Sequence, residues 1–159
     1  MSTLYVDNLE PNLGSRVLAA GHVVQVVQGT YSTETLSTST SYTDTGLQAT
    51  ITPTATSSKI MIFVSLSNSG VLNNAGADGR GHFGIDRSGS TLYESHCRAY
   101  DYGNSGVIMF APFEMSYLDS PSTTSATTYK LQQRLNTGHS IRVCDNQLPI
   151  HMQLMEIAQ

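Results

Sequence analysis

Five consecutive residues, Ile60-Met61-Ile62-Phe63-Val64, are apolar without interruption. In an extended strand successive side chains point to opposite faces, so a strand written this way is apolar on both. Such strands are normally covered on both sides. In a small antiparallel domain one side faces the core, and the other calls for a second layer or a second chain. The stretch before it differs. Leu47, Ala49 and Ile51 alternate with Gln48, Thr50 and Thr52, the period of two that marks a half-exposed strand. Pro53 cannot donate to a ladder and separates the two strands, placed at 46–52 and 59–68.

The rest of the chain repeats short strand signals. His22 to Gln28 is β-branched and predicts a first strand. The Ser/Thr-rich stretch from Thr30 to Thr45 predicts a short strand near Thr33 to Leu36. Ser69 to Gly81 is expected to be loop from its Gly and Asn content. His82 to Arg87 and Thr91 to His96 flank Ser88-Gly89, the pattern of a hairpin. Arg98 to Gly106 predicts another loop. Val107 to Leu118 is a strand region with Pro112 inside it, where a bulge or break is expected. Tyr129, Leu131, Gln133 and Leu135 alternate with Lys130, Gln132 and Arg134, and Ile141 and Val143 follow a turn at Asn136-Thr137-Gly138. Leu148, Ile150, Met152 and Leu154 line one face of a closing strand, with His151, Gln153 and Met155 on the other. Eight or nine short strands without a helix predict an all-β, antiparallel, jelly-roll-like sandwich. We place it at residues 22–159, behind an extended arm at residues 1–21. The arm carries Leu4, Val6, Leu9, Leu13 and Val17, a set of aliphatic residues expected to dock on a neighbour rather than stay in water.

Composition removes several functional classes. Charged residues make up only 13%, the formal net charge is −4, and the 8 Lys and Arg are spread singly. No basic patch interleaved with aromatic residues appears, so no nucleic-acid partner is expected. No apolar run approaches the roughly 18–20 residues of a membrane span, so no membrane partner is expected. The first residues lack a basic start followed by an apolar core, unlike a secretory signal. Cys97 and Cys144 have the option of pairing, but a chain made in the cytosol keeps its thiols reduced.

The segment YTDTGLQATITPTATSSKIMIFVSLS, the hairpin HFGIDRSGSTLY and the closing TTYKLQQRLNTG with LPIHMQLMEIA resemble small bacteriophage virion proteins. These are tail-fibre or head-decoration (cement) subunits in phages of aquatic bacteria. The opening STLYVDNLEPNLGSRV is similar to their N-terminal attachment segments. The resemblance implies a compact β-sandwich, commonly a homotrimer packed like the complement globular head or tumour-necrosis-factor-like jelly rolls. It further implies other virion proteins, capsid or tail and neck, as partners, a location in the virion after assembly in the host cytoplasm, and no enzymatic activity. The chain also stops at the last strand of the sandwich, which favours a decoration subunit or small knob over a stand-alone fibre. In a trimer the apolar outer face of one sheet would lie around the threefold axis, with Met61, Phe63, Met115 and Tyr129 as candidate interface residues.

Catalytic patterns are weak. His22, His82, His96, His139 and His151 show no metal-ligand spacing, and no metal or other cofactor is expected. Gly103-Asn104-Ser105-Gly106 suits a turn better than a serine-nucleophile loop, since His96 is too close in sequence to act as its base. Glu34, Glu94, Glu114 and Glu156, with Asp86 and Asp101, show no arrangement as a glycosidase pair. The alternative to a purely structural role is a receptor- or carbohydrate-binding knob, with Tyr93, Tyr100 and Tyr102 as candidate glycan contacts.

Overall fold

The computed structural model describes residues 20–73, 78–100 and 108–159. The predicted docking positions Leu4, Val6, Leu9, Leu13 and Val17, and Tyr102, lie outside the described residues. Within them are ten strands: β1 (Val23–Tyr31), β2 (Thr35–Ser37), β3 (Thr43–Ile51), β4 (Lys59–Leu72), β5 (Asp78–Arg87), β6 (Ser90–Tyr100), β7 (Ile108–Asp119), β8 (Thr127–Thr137), β9 (Ser140–Val143) and β10 (Ile150–Ile157). One 3-10 turn, Asp145–Gln147, precedes β10.

Two antiparallel sheets stack face to face. The first, sheet A, has the order β1-β10-β4, with β7 on the free side of β4 and β9 and β2 continuing the far half of β4. The second, sheet B, has the order β3-β8-β5-β6. Leaving aside the short β2 and β9, each sheet draws its strands alternately from early and late in the chain, which is the jelly-roll winding. The chain is therefore an all-β sandwich of jelly-roll type.

The period-two patterns fix which faces meet. Leu47, Ala49 and Ile51 of β3, Ile60, Ile62, Val64 and Leu66 of β4, Phe83 and Ile85 of β5, Leu131 and Leu135 of β8, and Ile150, Met152 and Leu154 of β10 are all buried between the sheets. At the β1/β3 side the sheets touch because residue 29 is glycine. A Cβ there would stand 2.1 Å from the Gln48 carbonyl oxygen. At the β5–β6 hairpin Ser88 and Gly89 both have positive φ, 54° and 86°, the geometry of a two-residue turn that matches strand twist.

Several expectations need correction. Ser69 to Gly81 is not a single loop: β4 runs on to Leu72, and β5 starts at Asp78. Likewise β6 continues to Tyr100. Pro112 does not break β7, which is continuous from Ile108 to Asp119. The irregularity falls on the partner strand instead, where pairing shifts between Leu66 and Ser69. Ser67 and Asn68 therefore stand opposite the one residue that has no N–H to offer. Asn68 takes up the extra length with φ 40°, and its amide donates to the Asp145 carboxylate at 2.9 Å.

Two buried polar clusters hold the layers together. Tyr129 of β8 donates its hydroxyl to Asp119 Oδ2 at 2.7 Å, and Arg87 of β5 bonds the same oxygen. This joins sheet B to the end of β7 in sheet A. Glu156 of β10 is fully buried. Its Oε1 accepts from the Thr54 N–H, the Thr54 hydroxyl and the Ser58 hydroxyl, each at 2.7 Å. Its Oε2 accepts from the Gln25 amide at 2.6 Å. Burial raises the Glu156 carboxyl's affinity for a proton, but these donors outweigh it and bring its pKa to about 2. A buried carboxylate is tolerable only when its lone pairs are used in this way.

Candidate interaction surface

Register places the outward side chains of sheet A in cross-strand rows. Val26, Met155, Met61 and Leu118 form one row across β1, β10, β4 and β7. Gln28, Gln153, Phe63 and Ser116 form the next, and Thr30, His151, Ser65 and Glu114 the third. Val26 is 56% exposed, Leu118 46% and Phe63 40%. The outer face of β4 thus presents Met61 and Phe63 uncovered by the other described residues, although its inner face is sealed in the core. An open groove of about 720 Å³ crosses the second and third rows. Phe63 and Met155 supply its apolar part, and Gln28, Gln153, His151 and Glu114 its polar walls.

The opposite outer face, on sheet B, is built from charge. Lys130 meets Asp44 at 2.7 Å, Arg134 meets Glu94 at 3.5 Å, and Arg80 and Arg98 both pair with Asp78. Tyr42 donates to Glu94 at 2.6 Å. His82, on the same face, has its pKa lowered by burial and by the nearby Arg134, against the opposing pull of Glu94. Charges satisfied by neighbours in this way sit well in water. The two broad surfaces of the sandwich therefore have opposite solvation.

Met61 and Phe63 lie on the outer face of sheet A. Met115 and Tyr129 do not present an outer surface: Met115 is buried, and Tyr129 is fully buried with its hydroxyl on Asp119. The reason is register. Met115 stands opposite Val64, and Tyr129 belongs to the same inward set as Leu131 and Leu135. Val26, Leu118 and Met155 complete the apolar row instead. They lie far apart in sequence, on β1, β7 and β10, and only pairing brings them together.

The tyrosines do not converge. Tyr93 pairs with Ile85 on the inward side of β6 and stacks against Tyr117 with ring centroids 6.1 Å apart. Tyr100 pairs with Asp78 on the outward side and lies under the Arg98 guanidinium, 4.0 Å from the ring centroid. Seven residues of strand separate them, roughly 23 Å, so the proposed glycan contacts Tyr93 and Tyr100 form no common platform.

Among the described residues no cluster of three or more His, Cys, Asp or Glu side chains could hold a metal ion. His96 points outward and Cys97 inward from β6. Cys97 and Cys144 are free and buried, and burial pushes each thiol up to about 11. Of the carboxylates weighed for chemistry, Glu156 is committed to its four donors, Asp86 accepts the Gly89 N–H at 3.2 Å, and Glu94 is engaged by Tyr42 and Arg134. No helix among the described residues is long and apolar enough to cross a membrane.

No protein-family model matches the chain, and a search of curated proteins finds no similar sequence.

Proposed function

We propose that this chain is a non-enzymatic structural subunit of a bacteriophage virion, of the head-decoration or fibre-knob kind, that works as a homotrimer. The observation that carries the reading is the outer face of sheet A. Val26, Met155, Met61, Leu118 and Phe63 form a continuous apolar surface on the exposed side of a packed sheet, opposite a sheet whose outer charges are already paired. Contiguous apolar patches on a sheet of this kind mark contact with another chain. A ring also needs a second, different surface on each copy. The edge strand β7 offers one, with Ile108 65% exposed at its start and Leu118 46% exposed near its end. Packing the β7 side of one copy against the sheet A face of the next closes a ring, and obligate interfaces of this type bury about 2,000 Å² or more. The aliphatic segment 1–21 is the proposed attachment to other virion proteins.

Sedimentation velocity at micromolar concentration tests the assembly. A trimer is expected for the native chain and a folded monomer for Phe63→Asp combined with Met61→Asp. A native chain that sediments as a monomer would refute the reading. Deletion of residues 1–21 is expected to leave the trimer intact and to abolish binding to particles.

A further inference from the structure

The outer face of sheet B is closed by a single tyrosine. Residue 84 in β5 is glycine, and a Cβ there would stand 3.0 Å from Tyr42 Cε1 and 3.1 Å from Cζ. The Tyr42 ring occupies the space that a side chain would take. Tyr42 lies just before β3, at one edge of the sheet. Its hydroxyl donates to Glu94 Oε2 on β6, the other edge, at 2.6 Å. The Arg134 guanidinium of β8 lies 5.2 Å from the same ring centroid. One aromatic side chain thus straps the sheet from edge to edge.

His82 stands two residues before Gly84 on β5, on the same face. Register sets Arg134 of β8 on one side of it and His96 of β6 on the other, with the two imidazole rings 6.0 Å apart. Two residues further along, Arg80 and Arg98 are held by Asp78, and on the β3 side Lys130 and Asp44 hold each other. The His82 side chain is only 17% exposed. Its Nδ1 is buried without a hydrogen-bond partner among the described residues. Glu94 Oε2 is 3.7 Å away. This is the oxygen that already serves Tyr42 and, at 3.5 Å, Arg134.

We infer that His82 is an acid-responsive latch on this face: a proton taken at Nδ1 draws Glu94 Oε2 toward the imidazole and loosens the Tyr42 strap. An N–H at Nδ1 needs an acceptor at about 3 Å, and Glu94 reaches that distance only by moving off its present bonds. The new charge is also poorly placed. Burial and the Arg134 guanidinium resist it, Glu94 opposes them in part, and His96 adds to the resistance. The unfolded chain holds this imidazole at the ordinary 6.5 and takes the proton first as pH falls. The stability that the neutral ring contributes is therefore complete above pH 6.5 and declines below it, toward the lower folded value. The Glu156 carboxyl, ordinary at 4.5 and about 2 in the fold, acts in a more acidic window. The latch lies on the sheet opposite the proposed assembly face, so the inference goes beyond that reading and does not depend on it.

Nuclear magnetic resonance of the full chain with labelled histidine and tyrosine rings, titrated from about pH 8 to about pH 4.5, tests the latch across the imidazole range. The His82 midpoint should lie below 6.5, and the Tyr42 ring signals should move with that same midpoint. Arg134→Gln should raise the midpoint and Glu94→Gln should lower it, shifts that a merely structural role would not produce. Urea unfolding at about pH 7.5 and about pH 5.5 should show a larger loss of stability in the native chain than in His82→Gln. A native midpoint at or above 6.5, Tyr42 signals that ignore the His82 titration, or equal losses in the native chain and the variant would overturn the inference. Should His82→Gln fail to fold, the titration of the native chain decides alone.

Discussion

The Tyr129 hydroxyl donates to Asp119 Oδ2 at 2.7 Å inside the sandwich, and Arg87 holds the same oxygen. One carboxylate at the end of β7 thus serves two strands of the opposite sheet. Burial and the bond to Asp119 raise the Tyr129 pKa well above the usual phenol range. Tyr129→Phe removes one buried hydrogen bond and is expected to destabilise by about 1–3 kcal/mol. Asp119→Ala strands the Arg87 charge and the tyrosine donor together and is expected to cost about 3–5 kcal/mol. Urea unfolding of the two variants checks the order; equal losses would show that the carboxylate does not join the sheets.

Acid should weaken the fold through Glu156. Its carboxyl titrates at about 2 in the folded chain against an ordinary 4.5. Its contribution, up to about 3 kcal/mol, is therefore complete above pH 4.5 and disappears as pH falls toward 2. Unfolding free energy should decline over that window, and Glu156→Gln should flatten the decline while lowering stability at pH 7. An unaltered acid limb in the variant would assign acid sensitivity elsewhere.

The opposite solvation of the two outer faces gives a paired test. If the chain assembles as proposed, Leu118→Glu on sheet A is expected to dissociate the proposed trimer with a change of no more than about 0.5 kcal/mol in subunit stability. Thr50→Glu on sheet B should leave assembly unchanged. Light scattering reads both, and dissociation by Thr50→Glu would place the contact on the wrong sheet.

Gly29 has a steric role. A methyl group at this position meets the Gln48 carbonyl oxygen at 2.1 Å, so Gly29→Ala must push β1 away from β3. A loss of about 1–3 kcal/mol is expected, the range for overpacking a tight contact. Thermal unfolding measures it, and a neutral substitution would mean that this side of the sandwich yields.

The thiols of Cys97 and Cys144, buried and raised to about 11, should react with a disulfide reagent only as the chain opens. Rapid labelling of two thiols in the native protein at pH 8 would contradict that.

Much of the fold was legible in the sequence because period two survives wherever one face is wet: Leu47-Ala49-Ile51 and Leu131-Gln133-Leu135 pointed inward as read. Sidedness was illegible in β7, where Ile108, Met109, Phe110, Phe113 and Met115 are apolar on both faces. Only pairing with β4 decides that Met115 is inside and Leu118 outside. Tyr129 was expected at a subunit interface. Its position in an inward alternation was the better guide, and the acceptor that makes burial possible lies ten residues earlier at Asp119. The apolar row across four strands could not be read at all, since its members come from residues 26, 61, 118 and 155.

Strand β10 lies between β1 and β4, pairing with both along its length. A ribosome delivers β10 after β1 to β9, so the edges of β1 and β4 that face it wait open until it emerges. Closure over so long a separation is slow, and unsatisfied edges invite the wrong neighbour. Truncation before Ile150 should therefore yield aggregates rather than a smaller folded domain.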